Sequence, residues 1–221
     1  MGTTHSAVQI ATAEVEAYPH GRVPRHIREK QVLALAEELF AEKGFAVASM
    51  DELALRAGVS KPVIYDLVGS KEELFKACIA RASGELREQI AEAVSHQSEP
   101  VSQLRAGSLA FFKFIDEHRQ SWSALFVGDV ASSFSTEAES VRKQQFDLVA
   151  GLLEKATRVI GTQIEYKFLE GTAHAVNGAF EAVAVWWWEH PELPCEVMSE
   201  WMVALLVPGL TSLSDFLNIK P

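Results

Sequence analysis

The chain is poor in several features that mark common protein classes. Only two of its 221 residues are cysteines, Cys78 and Cys195, which excludes a disulfide framework and favours two reduced, partly buried thiols. The longest apolar runs, residues 182–188 and 201–210, fall short of the roughly 20 residues that a membrane-spanning helix needs. The N-terminus lacks the basic-then-apolar pattern of a signal peptide. These absences predict a protein that works outside membranes and in a reducing compartment.

Motifs of enzyme sites are also missing. The chain has no G-x-G-x-x-G, no P-loop, no G-x-S-x-G nucleophile elbow and no H-E-x-x-H pair. Its histidines and cysteines do not cluster at the spacings of a metal site. We therefore predict no catalytic residues, no metal and no cofactor, and an all-helical enzyme is the least favoured hypothesis.

Positive charge is scarce overall but is concentrated in one segment. The net charge is −10, yet residues 21–76 hold nine Lys or Arg and nine Asp or Glu, so this segment is neutral. Residues 77–221 carry −8. An acidic chain argues against general coating of nucleic acid. A local docking surface for DNA is still compatible with the neutral segment.

Helix-capping serines and helix-ending glycines alternate across residues 44–75. Ser49 followed by Glu52 predicts a capping box, and Gly58 predicts a left-handed residue that ends the same helix. The same kinds of signal recur along the chain at Ser60, Pro62, Gly69, Ser70 and Glu73. Two short helices joined by a glycine turn are typical of a helix-turn-helix. Double-stranded DNA is therefore the leading candidate partner.

The order of residues in this segment closely resembles the DNA-binding domain of TetR/AcrR-family transcriptional regulators. The matching runs are residues 40–45, 53–54, 57–61, 64–65 and 70–75. The resemblance implies an all-α fold with an N-terminal three-helix helix-turn-helix domain and a larger C-terminal helical domain. It also implies a homodimeric repressor that binds a palindromic operator and is released by a small hydrophobic or amphipathic molecule. Such a protein is expected in the prokaryotic cytoplasm, associated with the nucleoid when bound to DNA.

This resemblance divides the chain into three parts and assigns DNA-facing residues. We predict a disordered tail over residues 1–20, a DNA-binding domain over 21–70 and a ligand-binding and dimerisation domain over 71–221. The family's contacts to DNA bases fall at the start of the recognition helix, and its contacts to phosphates fall on flanking hydroxyl and basic groups. The DNA-binding candidates are Arg25, Arg28, Ser49, Ser60, Lys61, Pro62, Val63, Tyr65 and Lys71.

The recognition helix departs from the family pattern at several positions. Pro62 stands where many members have a small residue, and Leu67-Val68 replaces the usual aromatic pair. Asp66 places a negative charge on the helix, where it either accepts a hydrogen bond from a cytosine amino group or is solvated or paired within the chain. An alternative hypothesis follows from these changes and from the acidic charge. In that hypothesis the chain is a helical protein-interaction module that retains the three-helix fold without specific DNA binding.

Beyond residue 70 the sequence keeps a helical period. Breaks at polar, Pro and Gly positions predict helices over residues 70–94, 100–118, 120–130, 137–160, 164–190 and 193–207, the last followed by a kink or stop at Pro208-Gly209. The fifth of these helices carries a stripe of small residues that would let two backbones approach closely. With two residues of the sixth helix, the candidate dimer set is Gly171, Ala175, Gly178, Ala182, Trp201 and Leu205. Ordinary packing within one chain is the alternative.

The ligand site is predicted from aromatic and polar side chains on these helices. His174, Asn177 and Glu181 recur at helical spacing on an otherwise apolar helix and are candidate polar anchors. A buried polar network or an exposed strip explains the same spacing. Aromatic candidates are Phe111, Trp122, Phe126 and Phe146, although most aromatic residues at such spacing belong to the core.

Overall fold

The computed structural model describes residues 2–18, 22–119, 134–160 and 164–218. Within these ranges the chain forms nine helices and no strand, which confirms the predicted all-α class. The helices are α1 (Gly2–Glu16), α2 (Arg25–Val47), α3 (Met50–Ala57), α4 (Lys61–Val68), α5 (Lys71–Ser95), α6 (Pro100–Glu117), α7 (Ser135–Ile160), α8 (Tyr166–Trp188) and α9 (Cys195–Asn218). The helix predicted over residues 120–130 lies outside the described residues.

The chain divides into two compact units. The first comprises Met1–Ala82 and Glu117–Glu137, and the second comprises Ser83–Asp116 and Ala138–Pro221. The domain boundary predicted at residue 70 therefore falls inside the first unit, and α5 contributes residues to both units.

The N-terminal segment differs from the disordered tail expected for residues 1–20, because Gly2–Glu16 is helical. Ala11 is buried, and the carboxylate of Glu14 lies 2.6 Å from the Lys30 ammonium of α2. The ion pair joins residues 16 positions apart. The segment itself carries no strong capping pattern, which is why its order could not be inferred from local signals.

Helix α2 supports the rest of the first unit and breaks near its end. Gly44 has a φ of 74° and a ψ of 163°, a conformation that a residue without a Cβ adopts most easily. This backbone turn sends Phe45 back against Phe40, with ring centroids 6.0 Å apart. Gly44 thus interrupts the helix, and Phe45 packs back onto the turns that precede it.

The predicted helix ends appear at α3, α4 and α5, with two differences. Gly58 is left-handed and Gly69 has positive φ, and the Ser70–Glu73 capping box is complete, with reciprocal bonds of 2.7 and 3.1 Å. At α3, the Ser49 hydroxyl accepts from the Glu52 amide, but the Glu52 carboxylate bonds to Lys43 and Arg56. Ser60 occupies the cap position of α4, yet within the described part of the chain its hydroxyl makes no capping bond.

Four phenylalanine rings form the centre of the first unit. Phe75 of α5 lies 5.0 Å from Phe40, 4.8 Å from Phe45 and 4.7 Å from Phe134, measured between ring centroids. Phe134 is also buried, so residues far apart in sequence close this cluster. The cluster fixes α5 against α2 within the unit.

The second unit is organised around Trp187. Its ring is buried, contacts Phe112 edge to face at 5.5 Å, and donates its indole N–H to the Leu193 carbonyl. Trp186 is exposed, which agrees with the rule that consecutive helical residues point in different directions. Helix α9 continues through Pro208, so of the two alternatives predicted there the stop is wrong.

Candidate nucleic-acid interface

Helix α4 presents most of its surface to solvent. Ile64 alone is buried among the eight residues of this helix, all of which are described. Pro62, Val63 and Tyr65 are exposed, with 41% of Val63 and 45% of Tyr65 accessible. Ile64 is therefore the one residue of this helix that enters the core, and the predicted base-facing residues lie on the outer surface.

The first residue of α4 is paired with a carboxylate of α3. The Lys61 ammonium lies 2.9 Å from Asp51 Oδ2, and this hydrogen bond raises the pKa of Lys61. Both side chains are largely exposed, so the pair orients Lys61 more than it stabilises the fold. Phosphate oxygens could replace Asp51 as the partner of this ammonium.

Arg25 holds the other end of α4. Its Nη1 donates to Asp66 Oδ2 at 3.0 Å, its Nη2 donates to the Asp66 carbonyl, and its Nε donates to Glu29 at 2.6 Å. The bond to Glu29 and the charge of Asp66 raise the pKa of Arg25. Asp66 is thus paired within the chain, as one of the two alternatives predicted.

Arg28 is directed into the unit. Its Nη1 donates to Gln31 at 2.8 Å and to the Ala57 carbonyl at 3.3 Å, which takes up an unpaired carbonyl at the end of α3. In this arrangement both predicted arginines support helices of their own unit. Their DNA contacts stay a prediction.

Lys71 lies at the start of α5, beside the end of α2. Its ammonium donates to the Ala46 carbonyl at 3.3 Å and lies 4.5 Å from the centre of the Phe45 ring. Partial burial lowers the pKa of Lys71. The aromatic ring and the carbonyl position this cation without a carboxylate partner in direct ion-pair contact among the described residues.

A charge cluster missed by the sequence analysis supports α3. Arg56 pairs with Glu42 at 2.6 Å and with Glu52 at 2.8 Å, while Lys43 binds Glu52 at 2.7 Å. The hydrogen bond from Arg56 lowers the pKa of Glu42, and the bonds from Lys43 and then Arg56 lower the pKa of Glu52. Glu52 and Arg56 are four residues apart on α3, which is a local helical spacing. The Lys43–Glu52 and Glu42–Arg56 pairs are 9 and 14 residues apart and form only when α2 and α3 pack together.

The ligand candidates of the second unit are only partly brought together. Phe146 lies against His174, with ring centroids 4.4 Å apart, and Glu181 binds Arg142 of α7 through both carboxylate oxygens. Asn177 donates to the Ala173 carbonyl of its own helix. Phe111 belongs to an aromatic cluster with its neighbours Phe112 and Phe180. Trp122 and Phe126 lie outside the described residues.

All six dimer candidates are exposed in the single chain. The stripe of Gly171, Ala175, Gly178 and Ala182 faces solvent on α8. On α9, 47% of Trp201 and 57% of Leu205 are accessible, and the Trp201 ring lies 5.7 Å from the exposed Trp186 ring. The second unit thus has an apolar surface on its last two helices, which we call the α8–α9 surface.

None of the helices among the described residues is long and apolar enough to cross a membrane. Over the same residues, no group of three or more His, Cys, Asp or Glu side chains could hold a metal ion.

Comparisons with known proteins match both parts of the chain. Residues 32–78 match the family model for bacterial regulatory proteins of the tetR family, and residues 100–209 match the tetracyclin repressor-like C-terminal domain. The chain is 36% identical over 135 residues to the transcriptional activator FasR of Mycolicibacterium smegmatis. That match covers 58% of this chain and 62% of FasR, so the chain spans less than two thirds of this curated relative.

Solved structures match over a greater length. A TetR-like transcriptional regulator from Rhodococcus sp. RHA1 is 35% identical, with 86% of this chain and 99% of that chain covered and a TM-score of 0.65. FadR of Bacillus subtilis, solved in complex with stearoyl-CoA, covers 81% of this chain and 97% of its own, with a TM-score of 0.66. Its 16% identity supports the fold alone. The long match to the Rhodococcus protein, together with the two family models, shows that the chain belongs to the TetR family of transcriptional regulators.

Proposed function

We propose that this regulator binds a palindromic DNA operator as a homodimer, with α4 as its recognition helix, and that a small molecule bound by the second unit changes its affinity for DNA. The observation that carries the proposal is the exposure of Pro62, Val63 and Tyr65 on a helix of which only Ile64 is buried. A surface of this kind fits the major groove of DNA, which is about 12 Å wide and admits one α-helix. We place the protein in the cytoplasm and assign it no enzymatic activity.

Phosphate contacts are assigned to groups that flank this surface. The Tyr65 hydroxyl and the Lys71 ammonium can bind phosphate oxygens on either side of the groove, and Ser49 and Ser60 lie at the N-termini of α3 and α4, where backbone N–H groups favour anions. Such contacts position the helix without selecting a sequence. Lys71 is the strongest candidate, because a carbonyl and an aromatic ring hold it without neutralising its charge.

Replacing Lys71 with alanine is expected to weaken binding to operator and to random DNA alike. Loss of one phosphate contact reduces the slope of log affinity against log salt by about 1, and therefore by about 2 in a dimer. Tyr65→Phe removes only a hydroxyl and is expected to cost about tenfold per half-site, as the loss of a hydrogen bond to a charged group does. The measurement is a binding-site selection with the wild-type protein, followed by salt-dependent titrations of the selected site with each variant.

Lys76→Ala is the matched control, since Lys76 lies on the same helix but pairs with Glu137 at 2.9 Å. It is expected to keep the wild-type slope. A selection that enriches no palindrome would contradict the proposal and favour the helical interaction module. If the slope of log affinity against log salt is unchanged in Lys71→Ala, Lys71 does not contact a phosphate.

The ligand is proposed to be a small hydrophobic or amphipathic molecule. In the second unit, the contact of Phe146 with His174 and the pairing of Glu181 with Arg142 bring an aromatic ring, an imidazole and a charge pair onto α7 and α8. FadR of Bacillus subtilis shares the fold and was solved with stearoyl-CoA, so a long-chain acyl-CoA is the first probe to use.

Adding stearoyl-CoA to the operator complex is expected to release the DNA, and coenzyme A alone is expected to leave it bound. A ligand shifts this equilibrium only if it prefers the DNA-free state, so binding without any change in operator affinity would contradict the mechanism. Absence of binding would reject this ligand class. We further propose that α5 transmits the change, since this one helix contributes residues to both units.

The direction of regulation is proposed to be repression. The curated relative FasR is named an activator, so the opposite direction has a specific basis. A reporter whose promoter overlaps the selected operator distinguishes the two. Repression predicts that reporter output rises when the gene for this protein is deleted.

A further inference from the structure

The side chains present on α4 restrict which hydrogen bonds this helix can form with bases. The helix reads Lys-Pro-Val-Ile-Tyr-Asp-Leu-Val, so it contains no arginine, asparagine or glutamine. Arginine and lysine are the usual partners of guanine, and asparagine and glutamine are the usual partners of adenine. Only Lys61 can contact guanine in this way, and no residue of the helix can form the paired hydrogen bonds to adenine.

The two charged side chains of α4 are both engaged within the protein. Lys61 is bound to Asp51 at 2.9 Å, and Asp66 is bound to Arg25 at 3.0 Å. Arg25 also donates to the backbone carbonyl of Asp66, so this end of the helix is held by two bonds. A contact from Asp66 to a cytosine amino group would require that arrangement to change. Hydrogen-bonded recognition by the charged groups is therefore disfavoured.

Apolar side chains occupy the part of α4 that points away from the core. Pro62 lies two positions from the buried Ile64, which is about 200° of rotation around the helix, and so faces the opposite side. Val63 and Tyr65 flank it, and 41% of Val63 is accessible. Pro62 and Val63 both lie in the first turn of the helix. Two exposed apolar side chains are thus adjacent on the surface assigned to the major groove.

We propose that Val63, with Pro62 beside it, recognises the 5-methyl group of thymine in each half-site. This inference rests on the proposed function, because it requires α4 to enter the major groove. The thymine methyl group is the apolar feature of that groove, and apolar side chains are its ordinary partners. Sequence selection by this helix then depends on van der Waals contact and exclusion of water more than on hydrogen bonds.

The test replaces thymine with uracil, which removes the methyl group and keeps every hydrogen-bonding group of the base. The operator is first obtained by selection with the wild-type dimer, and each thymine is then replaced singly. At one or two positions in each half-site, affinity is expected to fall about fourfold, the factor that corresponds to about 0.8 kcal/mol per buried methyl-sized group. Replacement in both half-sites is expected to multiply these factors to about fifteenfold.

Val63→Ala identifies the side chain that makes the contact. This variant is expected to bind the thymine operator with the affinity that the wild-type protein has for the uracil operator. Replacing thymine with uracil at that position should then cause no further loss of affinity in this variant. Val47→Ala is the matched control, because Val47 is an exposed valine at the end of α2, and it should keep the full difference between thymine and uracil. Pro62→Ala, measured in the same way, shows how much of the difference in affinity between thymine and uracil depends on the proline ring.

The outcomes separate failure of this inference from failure of the proposed function. A selected palindrome whose thymines all tolerate uracil overturns this inference and leaves the proposed function standing. A uracil penalty that persists undiminished in both Val63→Ala and Pro62→Ala also overturns it, since another residue then makes the contact. Failure to select any palindrome overturns both. Because Val63 and Pro62 are exposed, circular dichroism of the variants is expected to match the wild type, which separates a lost contact from a lost fold.

Discussion

Replacing Phe75 with alanine is expected to lower the free energy of unfolding of the first unit by about 3–5 kcal/mol, the range for a buried phenylalanine. Only 2% of this residue is accessible, and its ring contacts the three other rings of the phenylalanine cluster. The variant loses the transfer free energy of the ring and leaves a cavity between α2 and α5. Urea denaturation followed by circular dichroism measures the loss. Hydrogen exchange of peptides from α2 to α5 assigns it to this unit.

The same substitution is expected to weaken DNA binding even where the variant is folded. The Phe45 ring lies 4.8 Å from the Phe75 ring, and the Lys71 ammonium lies 4.5 Å from the centre of the Phe45 ring. Removing Phe75 frees Phe45 to move and so displaces the cation proposed to bind phosphate. Leu55→Ala is the control, because Leu55 is a highly exposed residue of α3 and surface changes of this kind stay within about 0.5 kcal/mol. A loss below 1 kcal/mol for Phe75→Ala would mean that the cluster contributes little.

The helix ends of the first unit could be predicted because their causes are local. Gly58 ends α3 through its left-handed backbone, and Ser70 and Glu73 exchange hydrogen bonds across three residues. At the predicted Ser49–Glu52 box only one of the two hydrogen bonds forms, from the Glu52 amide to the Ser49 hydroxyl. The Glu52 carboxylate accepts bonds from Lys43, which packing brings from α2, and from Arg56, one turn further along α3, so it does not return to the Ser49 amide.

Side-chain partners on different helices could not be predicted from the sequence, because they depend on how the helices pack. Arg25 and Arg28 are predicted to approach DNA, and the structure adds that they donate to residues near the ends of α4 and α3, which lie 41 and 29 positions away. Their positive charge was visible in the sequence, whereas their direction depends on how three helices pack. Helix α1 was missed because its burial comes from contacts with α2.

The neutral charge of the DNA-binding segment has a structural counterpart. Lys43, Arg56 and Lys61 each bind a carboxylate of the same unit, so several of its cations are neutralised in place. A surface of this kind attracts random DNA weakly, since non-specific binding depends on the number of phosphates neutralised. Apolar contacts by α4 then become a larger share of the free energy that distinguishes an operator from other DNA.

The second large predicted effect concerns the proposal that the chain dimerises through the α8–α9 surface. Replacing Trp201 and Leu205 together with glutamate places two charges on a surface where 47% and 57% of these residues are accessible in the single chain. Charges are depleted at the centre of protein interfaces, because removing them from water without a partner is costly. The double variant is expected to sediment as a monomer of 24.3 kDa, while the wild type sediments at twice that mass.

Loss of the dimer is expected to reduce operator affinity at least 100-fold. A dimer binds the second half-site at the high effective concentration that the first contact creates, an advantage of about 10²–10⁴ when the geometry permits both contacts. A monomer keeps α4 and its phosphate contacts, so it should still bind a single half-site weakly and with about half the salt dependence. Val101→Glu is the matched control, because Val101 is another exposed apolar residue of the second unit, on α6, and it should leave both mass and affinity unchanged. A double variant that stays dimeric would show that the interface does not include this part of α9. A wild-type protein that is monomeric and still binds a palindrome tightly would show that the two half-sites are occupied without dimerisation through this surface.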